Sequence, residues 1–274
     1  MEILPKATSD HPTHPEPVSS RSREGFMGTR VLSRTNSAGG YRLRVASSQS
    51  DLHAAQTLRF LVFNLELNEG LESAYATLRD EDRFDAVCDH LLVELEKTGE
   101  VVGTYRLQTG PKALANLGFY SAQEFDFRPY AAVNDQIIEL GRACVHRDHR
   151  NLHVLGLLWR GIADYARANG ARYLIGCSSM TSQDTREGAS AYIQIGSRFL
   201  VDAPLRTNPH PAWACPLDVL ALVEPKIPKL LRAYLSLGAR ICGAPAIDRE
   251  FKTIDFLTLL DLENLPAAAR RLVG

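Results

Sequence analysis

"ELGRACVHRDHRN", residues 139–151, continues an apolar run that begins at Ile137 and ends in a basic cluster. Ile137, Ile138, Leu140, Ala143, Cys144 and Val145 have the character of a buried strand, yet Glu139 and Arg142 lie among them. Side chains alternate along a regular strand, so charges three residues apart face opposite sides and one is buried on the wrong face. Gly141 offers a way out. A β-bulge there inserts one residue, turns the chain and brings both charges to one face. It also leaves a backbone N–H without a ladder partner, and such a donor aimed into a cleft stabilises the oxyanion of acyl transfer by roughly 2.7–4 kcal/mol. A carboxylate beside it can orient or deprotonate an attacking amine. Glu and Arg in one strand are more often a structural ion pair, so this stretch alone leaves both uses open.

Downstream, "LHVLGLLWRGIADYARANG" (152–170) places Leu155, Leu158, Trp159, Ile162 and Ala166 on one helical face, with Gly170 as the stop. "RYLIGCSS" (172–179) follows as another buried strand. Between 139 and 172 six arginines (142, 147, 150, 160, 167, 172) face Glu139, Asp148 and Asp164, a balance of +3 before His146, His149 and His153 are counted. A helix N-terminus offers free N–H groups to a phosphate, and a basic patch there suits a phosphorylated or acidic partner better than an ordinary solvated loop does.

Upstream, "YRLRVA" (41–46) alternates as a half-buried strand. "SDLHAAQTLRFLVFNL" (50–65) is an amphipathic helix behind a Ser/Asp start. A polar loop, "RDEDRFD" (79–85), leads to a hairpin of "HLLVELE" (90–96) and "VVGTYRL" (101–107). Residues 109–135 are a loop or a short helical insertion, and 180–222 give no clear pattern. "PKLLRAYLSLGA" (228–239) is a short helix, with "RICGAPA" and "IDFLTLLDL" (254–262) as closing strands. This order predicts a mixed sheet with helices on both faces, without internal repeats. Residues 1–40, rich in Pro, Ser, Thr and Gly, are expected to be a disordered tail, leaving 41–274 as one domain.

With 274 residues, 45% hydrophobic and net charge −1, the chain suits one large core and offers no global attraction for nucleic acid. No apolar run reaches membrane-spanning length and no signal-peptide pattern opens the chain, which points to the cytoplasm. The five cysteines, at 88, 144, 177, 215 and 242, form no close pair, so neither disulfides nor a metal site is expected.

Strand, bulge, basic loop and helix in this order resemble the GNAT N-acyltransferase fold, an α+β architecture whose mixed, mostly antiparallel sheet is flanked by helices on both faces. The glycines that follow the Arg of the usual phosphate loop are absent. Arg150 is followed by Asn151, Leu152, His153, Val154 and Leu155 before Gly156. The loop therefore looks better matched to the single phosphate of a phosphopantetheine arm on acyl carrier protein than to coenzyme A. "RFLVF" (59–63), "DRFD" (82–85), "GTYRL" (103–107) and "ELGR" (139–142) also resemble motifs of acyl-homoserine lactone synthases, although 64–69, "NLELNE", lack the Trp of those enzymes. "FDAVCDHL", "ELGRACVHRDHRN", "LLWRGIADY" and "YLSLGARICGAPAIDREFKTID" together are similar to the hemolysin-like L-ornithine N(alpha)-acyltransferases, from about 41 to 262.

That resemblance implies transfer of a fatty, 3-hydroxylated acyl group from acyl carrier protein to the α-amine of ornithine or a similar amino acid, giving lyso-ornithine lipid. No bound cofactor is implied beyond the phosphopantetheine thioester. Glu139 is the candidate base, and the N–H of Ala143 or Cys144 the oxyanion donor. Asp82 and Asp85 are candidates for holding a cationic substrate, or for a helix-capping or salt-bridge role. Arg59, Phe63, Arg106 and Arg142 shape the cleft, and Ser178 lines the thioester channel. Arg147, His149, Arg150, Asn151 and His153 would receive the pantetheine phosphate. A thiolate at Cys144 would allow a ping-pong scheme, but strand cysteines are mostly inert packing. The rival expectations are an acyl-coenzyme A GNAT or N-acyl amino acid synthase acting on another amine, and a non-catalytic acyl-binding, hemolysin-like protein. A lipid product implies transient contact with the inner membrane.

Overall fold

The computed structural model describes residues 37–267 and 269–270. The tail expected over 1–40 lies outside them up to residue 36. Its last four residues are ordered. Ser37–Ala38 (β1) pair with Tyr41–Val45 (β2) across a two-residue turn, where Gly39 and Gly40 adopt φ of 59° and 82°. Positive φ at both central positions is what a tight hairpin needs, so the two glycines that look like linker in the sequence make a turn.

The remaining strands are Asp89–Leu95 (β3), Val101–Thr109 (β4), Ile137–Val145 (β5), Tyr173–Met180 (β6), Arg240–Ile241 (β7), Ala246–Asp248 (β8) and Thr253–Asp261 (β9). They build one sheet in the order β1-β2-β3-β4-β5-β6-β9-β7, with β8 also on β9. Every pairing is antiparallel except β5 with β6. The parallel pair is joined by Leu152–Ala168 (α4), the crossover that parallel strands require. The expected closing strand "RICGAPA" divides, its two ends pairing separately with β9 as β7 and β8.

Gln49–Phe60 (α1) starts where Ser48 Oγ accepts the Asp51 N–H, and continues as a π-helical turn over Leu61–Glu66. Ala74–Thr77 (α2) is a single turn, and Gly110–Ala115 (α3) opens the insertion expected between 109 and 135. Thr185–Phe199 (α5) lies in the stretch without a clear pattern, and Lys229–Ser236 (α6) is the helix expected there. The sequence hides α5 because Gly188 and Gly196 interrupt it and Ile193 points outward, although Asp184 caps it.

One face of the sheet is largely apolar. Val154, Leu157, Leu158 and Ile162 of α4 pack on Leu43, Leu91, Val93 and Leu107, while Ile195, Leu231 and Leu235 of α5 and α6 cover Ile241, Ile254 and Phe256. On the opposite face α1 meets the sheet through two small apolar clusters, Ala55 with Leu92, and Leu58 and Val62 with Cys144. The insertion covers the rest of that face, with Phe119, Phe125 and Tyr130 on Ile137, Ile175 and Leu257.

Pairing of β5 with β6 stops at Glu139 and Ile175. At the next step the backbones nearly touch, since a Cβ on Gly176 would lie 2.2 Å from Leu140 O. Beyond this point β6 continues with β9 to Met180 while β5 follows β4, so the sheet parts. Gly176→Ala is expected to lower stability by about 1–3 kcal/mol through overpacking at the point where the strands separate. Thermal unfolding checks this, and an unchanged midpoint would show that the close approach is not a constraint.

Candidate active site

The charges of the α1 face close into a ring. Arg59 of α1 meets Asp80 at 2.9 Å and Asp85 at 2.6 Å. Asp85 meets Arg106 of β4 at 2.9 Å, and the same guanidinium reaches Asp82 at 2.7 Å. Asp82 then meets Arg142 of β5 at 2.8 Å, and Arg142 returns to Asp80 at 3.1 Å. Three arginines from three elements are thus tied to three aspartates of one loop. Arg59 and Asp80 are fully buried, and Gln56 adds a 2.9 Å bond to Asp85. Burial alone would raise the Asp85 carboxyl, but Arg59 and Arg106 hold it far below the usual carboxylate range. The ring leaves Asp85 no position for a substrate cation, and Asp82 is held by two guanidinium groups. Their expected part in holding a cationic substrate is replaced by the salt-bridge role.

The bulge expected in β5 is present, one residue later than Gly141. Thr104 pairs with Cys144 and Arg106 with Gly141, so Arg142 and Ala143 together face Tyr105. Arg142 supplies the turn with φ of 50°, a left-handed conformation uncommon for a side chain of this size. The ring holds it there, and its guanidinium lies between the Tyr120 and Phe251 rings, 4.9 and 4.3 Å from their centroids. Glu139 reaches the same face. Its two carboxylate oxygens accept the N–H groups of Tyr120 and Ser121, both at 2.7 Å, which fixes the segment above the strand gap. Burial raises the Glu139 carboxyl, although these two amides oppose the shift.

Cys144 packs with Leu58 and Val62 beneath α1, and burial raises its thiol well above the ordinary value, which opposes a thiolate there. Phe63 joins the same cluster from the π-helical turn. Ser178 corrects an expectation. Its hydroxyl bonds Thr258 Oγ1 at 3.1 Å on the face away from Glu139, because alternation along β6 sends Cys177 and Ser179 to the cleft side instead.

The expected phosphate site at the start of α4 is largely engaged by the protein itself. Asn151 Oδ1 accepts the N–H groups of His153 and Val154, at 3.0 and 3.1 Å. Its Nδ2 reaches the Tyr41 hydroxyl, which also meets His149 Nδ1 at 3.0 Å. The His153 ring lies under the β1–β2 turn, where a Cβ on Gly39 would come within 2.7 Å of it. Arg150 makes a bidentate pair with Glu66 of the π-helical turn, both contacts 2.7 Å, while Arg147 is exposed beside Asp148. Of the two arginines, Arg150 is engaged by Glu66 and Arg147 remains exposed.

A second acidic group, unforeseen from the sequence, lies on the cleft side. Glu124 of the insertion, Cys177 of β6 and Asp255 of β9 bring their polar atoms within 4.8 Å of one another. Burial raises the Glu124 carboxyl well above its ordinary range, and Asp255 and Asp248 add to that. Asp255 is pushed up to about 6, chiefly by burial, with Asp248 adding to the shift. The signal existed, since Asp255 interrupts an apolar strand as Glu139 does.

A parted mixed sheet, a bulge beside the gap and a carboxylate-bearing cleft define a GNAT-type N-acyltransferase, and the family model described as an acetyltransferase (GNAT) domain matches residues 58–160. Among solved structures, FeeM, an N-acyl amino acid synthase from uncultured soil microbes, shares the fold with a TM-score of 0.50 at 11% identity, over 82% of this chain and 91% of that one. The L-ornithine N(alpha)-acyltransferase of Brucella abortus is 34% identical over 242 residues, 83% of this chain and 86% of the relative. That of Agrobacterium fabrum is 32% identical over 92% of this chain and 88% of the relative. The chain belongs to the L-ornithine N(alpha)-acyltransferase family.

Arg59→Met leaves Asp80 and Asp85 buried with one partner fewer and is expected to cost about 3–5 kcal/mol in chemical denaturation. A loss below about 1 kcal/mol, the range of surface pairs, would show the ring to be dispensable. Asp255 gives a prediction of defined sign. Its native carboxyl keeps the proton up to about pH 6, against 3.8 for the ordinary group. Its stabilisation is therefore full below pH 3.8 and lost as pH rises through about 6. Relative to wild type, Asp255→Asn should gain on the order of 3 kcal/mol between pH 4 and 7. A constant difference across that range would contradict the shift.

Proposed function

We propose that the chain transfers a 3-hydroxy fatty acyl group from acyl carrier protein to the α-amine of ornithine, giving lyso-ornithine lipid. The observation that carries this reading is the interrupted ladder at Arg142–Ala143, beside the gap between β5 and β6. A thioester lying in the gap places its carbonyl oxygen at the unladdered amide, for which Ala143 is the candidate, since Cys144 is back in register with Thr104. The neutral α-amine attacks the carbonyl carbon, the carbon–sulfur bond breaks, and the pantetheine leaves as a thiol with a proton from the amine. Glu139 receives the ammonium proton through Ser121, whose hydroxyl lies 3.5 Å from Cys177 at the cleft side. The activity for which the family relatives are named supports ornithine as acceptor.

The donor is read from the mouth of the site. Asn151 caps two of the first amides of α4, which leaves fewer of them for a pyrophosphate, and the exposed Arg147 suits a single phosphate on an acidic carrier. The chain works in the cytoplasm and touches the membrane transiently to deliver its product. In support, Leu217, Val219, Leu220, Leu222 and Val223 stand exposed on one loop, close in sequence to Lys226 and Lys229. Among the described residues no helix is long and apolar enough to cross a membrane.

Purified protein given ornithine and either 3-hydroxyacyl carrier protein or the matching coenzyme A thioester is expected to form the Nα-acyl product from the carrier. Product from the coenzyme A thioester alone would assign the chain to the coenzyme A-dependent GNATs, and no product from either would refute the reading. Ser121→Ala is expected to lower kcat at least about tenfold with a changed pH profile, because it breaks the path to Glu139 while leaving the Ser121 amide in place.

A further inference from the structure

The ring neutralises three aspartates on the α1 face, but among the described residues Glu124, Asp248 and Asp255 on the same face pair with no arginine or lysine, and Asp248 Oδ1 accepts only the N–H groups of Glu250 and Phe251. Arg142 is the cation that bears on Glu124, and it is already shared between Asp80 and Asp82. Glu124 and Asp255 are 1% and 4% exposed. Among the described residues, Asp255 Oδ1 and the hydroxyl oxygen of Thr253, a residue 2% exposed, are buried with no partner at full hydrogen-bond geometry, and the groups that engage Asp255 more loosely, Ser179, Thr253 and Glu124, belong to the same cluster. Thr253 lies two positions before Asp255, on the same face of β9, and directly across from Asp248 in the ladder. Buried acceptors of this kind destabilise the protein unless something donates to them. Ser179, opposite Asp255 in the ladder and on the same side, is exposed, so the cluster lies beside a solvent-facing residue.

We propose that Glu124, Asp255 and Thr253, backed by Asp248, form the subsite for the side-chain ammonium of the acceptor amino acid and so direct acylation to its α-nitrogen. This rests on the acceptor being a diamino acid, as argued above. An ammonium offers three donors and one compact charge, which fits two carboxylates and a hydroxyl better than a planar guanidinium would. Among carboxylates the ammonium form is stabilised, so this nitrogen keeps its proton and has no lone pair with which to attack. A nitrogen outside the pocket, near the bulge, can become neutral and react. One pocket therefore explains both selection of a cationic side chain and protection of that side chain from acylation.

The experiment compares ornithine with norvaline, which has the same carbon chain without the terminal amine. Wild-type protein is expected to prefer ornithine, and Glu124→Gln and Asp255→Asn each to lower the ornithine-to-norvaline ratio of kcat/KM at least about tenfold, with Nδ-acyl product appearing beside the Nα-acyl product. A ratio unchanged in both variants, or product that stays wholly Nα-acyl while the rates on both substrates fall equally, would overturn the proposal. Calorimetry on the unmodified chain gives a readout that needs no variant. Ornithine should bind at least about tenfold tighter than norvaline, and equal affinity would refute the subsite. If the unmodified chain binds ornithine with that preference yet acylates neither amino acid, the proposed function fails and the subsite stands. Because Glu124, Cys177 and Asp255 are also close enough to share a cation, metal content is measured on the purified protein. One equivalent of divalent metal, whose chelation abolishes the ornithine preference, would assign the pocket to the metal instead.

Discussion

Three guanidinium groups and three carboxylates, alternating round a closed circuit with Arg59, Asp80, Asp85 and Arg106 buried, hold this fold's working face in place. The apolar clusters between α1 and the sheet are small, Ala55 with Leu92 and Leu58 with Cys144, whereas α4 lies on a continuous core. The ring supplies what packing does not, tying α1, the loop of residues 80–85, β4 and β5 to one another. Taking six charges out of water is unfavourable, and pairing them roughly offsets that, so the ring's value is specificity of arrangement more than net stability. Removing one member leaves a buried charge exposed to the full desolvation penalty.

The same arrangement explains why a strand can hold Arg142 in a left-handed conformation. Its φ of 50° is a strained choice for a long side chain. Asp80 and Asp82 bind its guanidinium while Tyr120 and Phe251 enclose it, so the strain is offset locally. Tyr120 is in turn fixed through its backbone by Glu139, three residues before Arg142. The two charges that look misplaced in one strand therefore stabilise one structure, the bulge and the segment that covers it. Bulge, gap and cover are set together, which is what a site requiring a fixed amide donor needs.

Much of this was legible in the sequence. Apolar periodicity located β2 to β6, α1 and α4, and two charges inside an apolar strand located the bulge to within a residue. The bulge's exact position was not legible, because Gly141 is the residue expected to kink and the ring that lets Arg142 do so pairs residues 21 to 62 positions apart in the chain. Ser178 was assigned to the wrong face because a strand's facing depends on its register against β9, which a single strand does not reveal. The basic cluster after the bulge was counted as free charge, yet Arg150 pairs with Glu66, Arg167 with Asp164 and Arg172 with Asp261. Net charge along the chain says nothing about partners brought in by folding.

The two sets of carboxylates on the α1 face differ in a way that composition does not show. Asp80, Asp82 and Asp85 come from a polar loop and meet arginines, so as ions they are matched within the protein. Glu124, Asp248 and Asp255 come from an insertion and two adjoining strands, and the nearest guanidinium already serves the ring. Such a group has two ways to lower its energy, to hold protons or to receive a cation from outside. The raised carboxyls of Glu124 and Asp255 are the first way. A cation entering past Ser179 would be the second, releasing a proton as it binds. Carboxyls brought together by folding beside a guanidinium already engaged elsewhere are arranged to receive an ammonium, whereas a ring complete in itself is not.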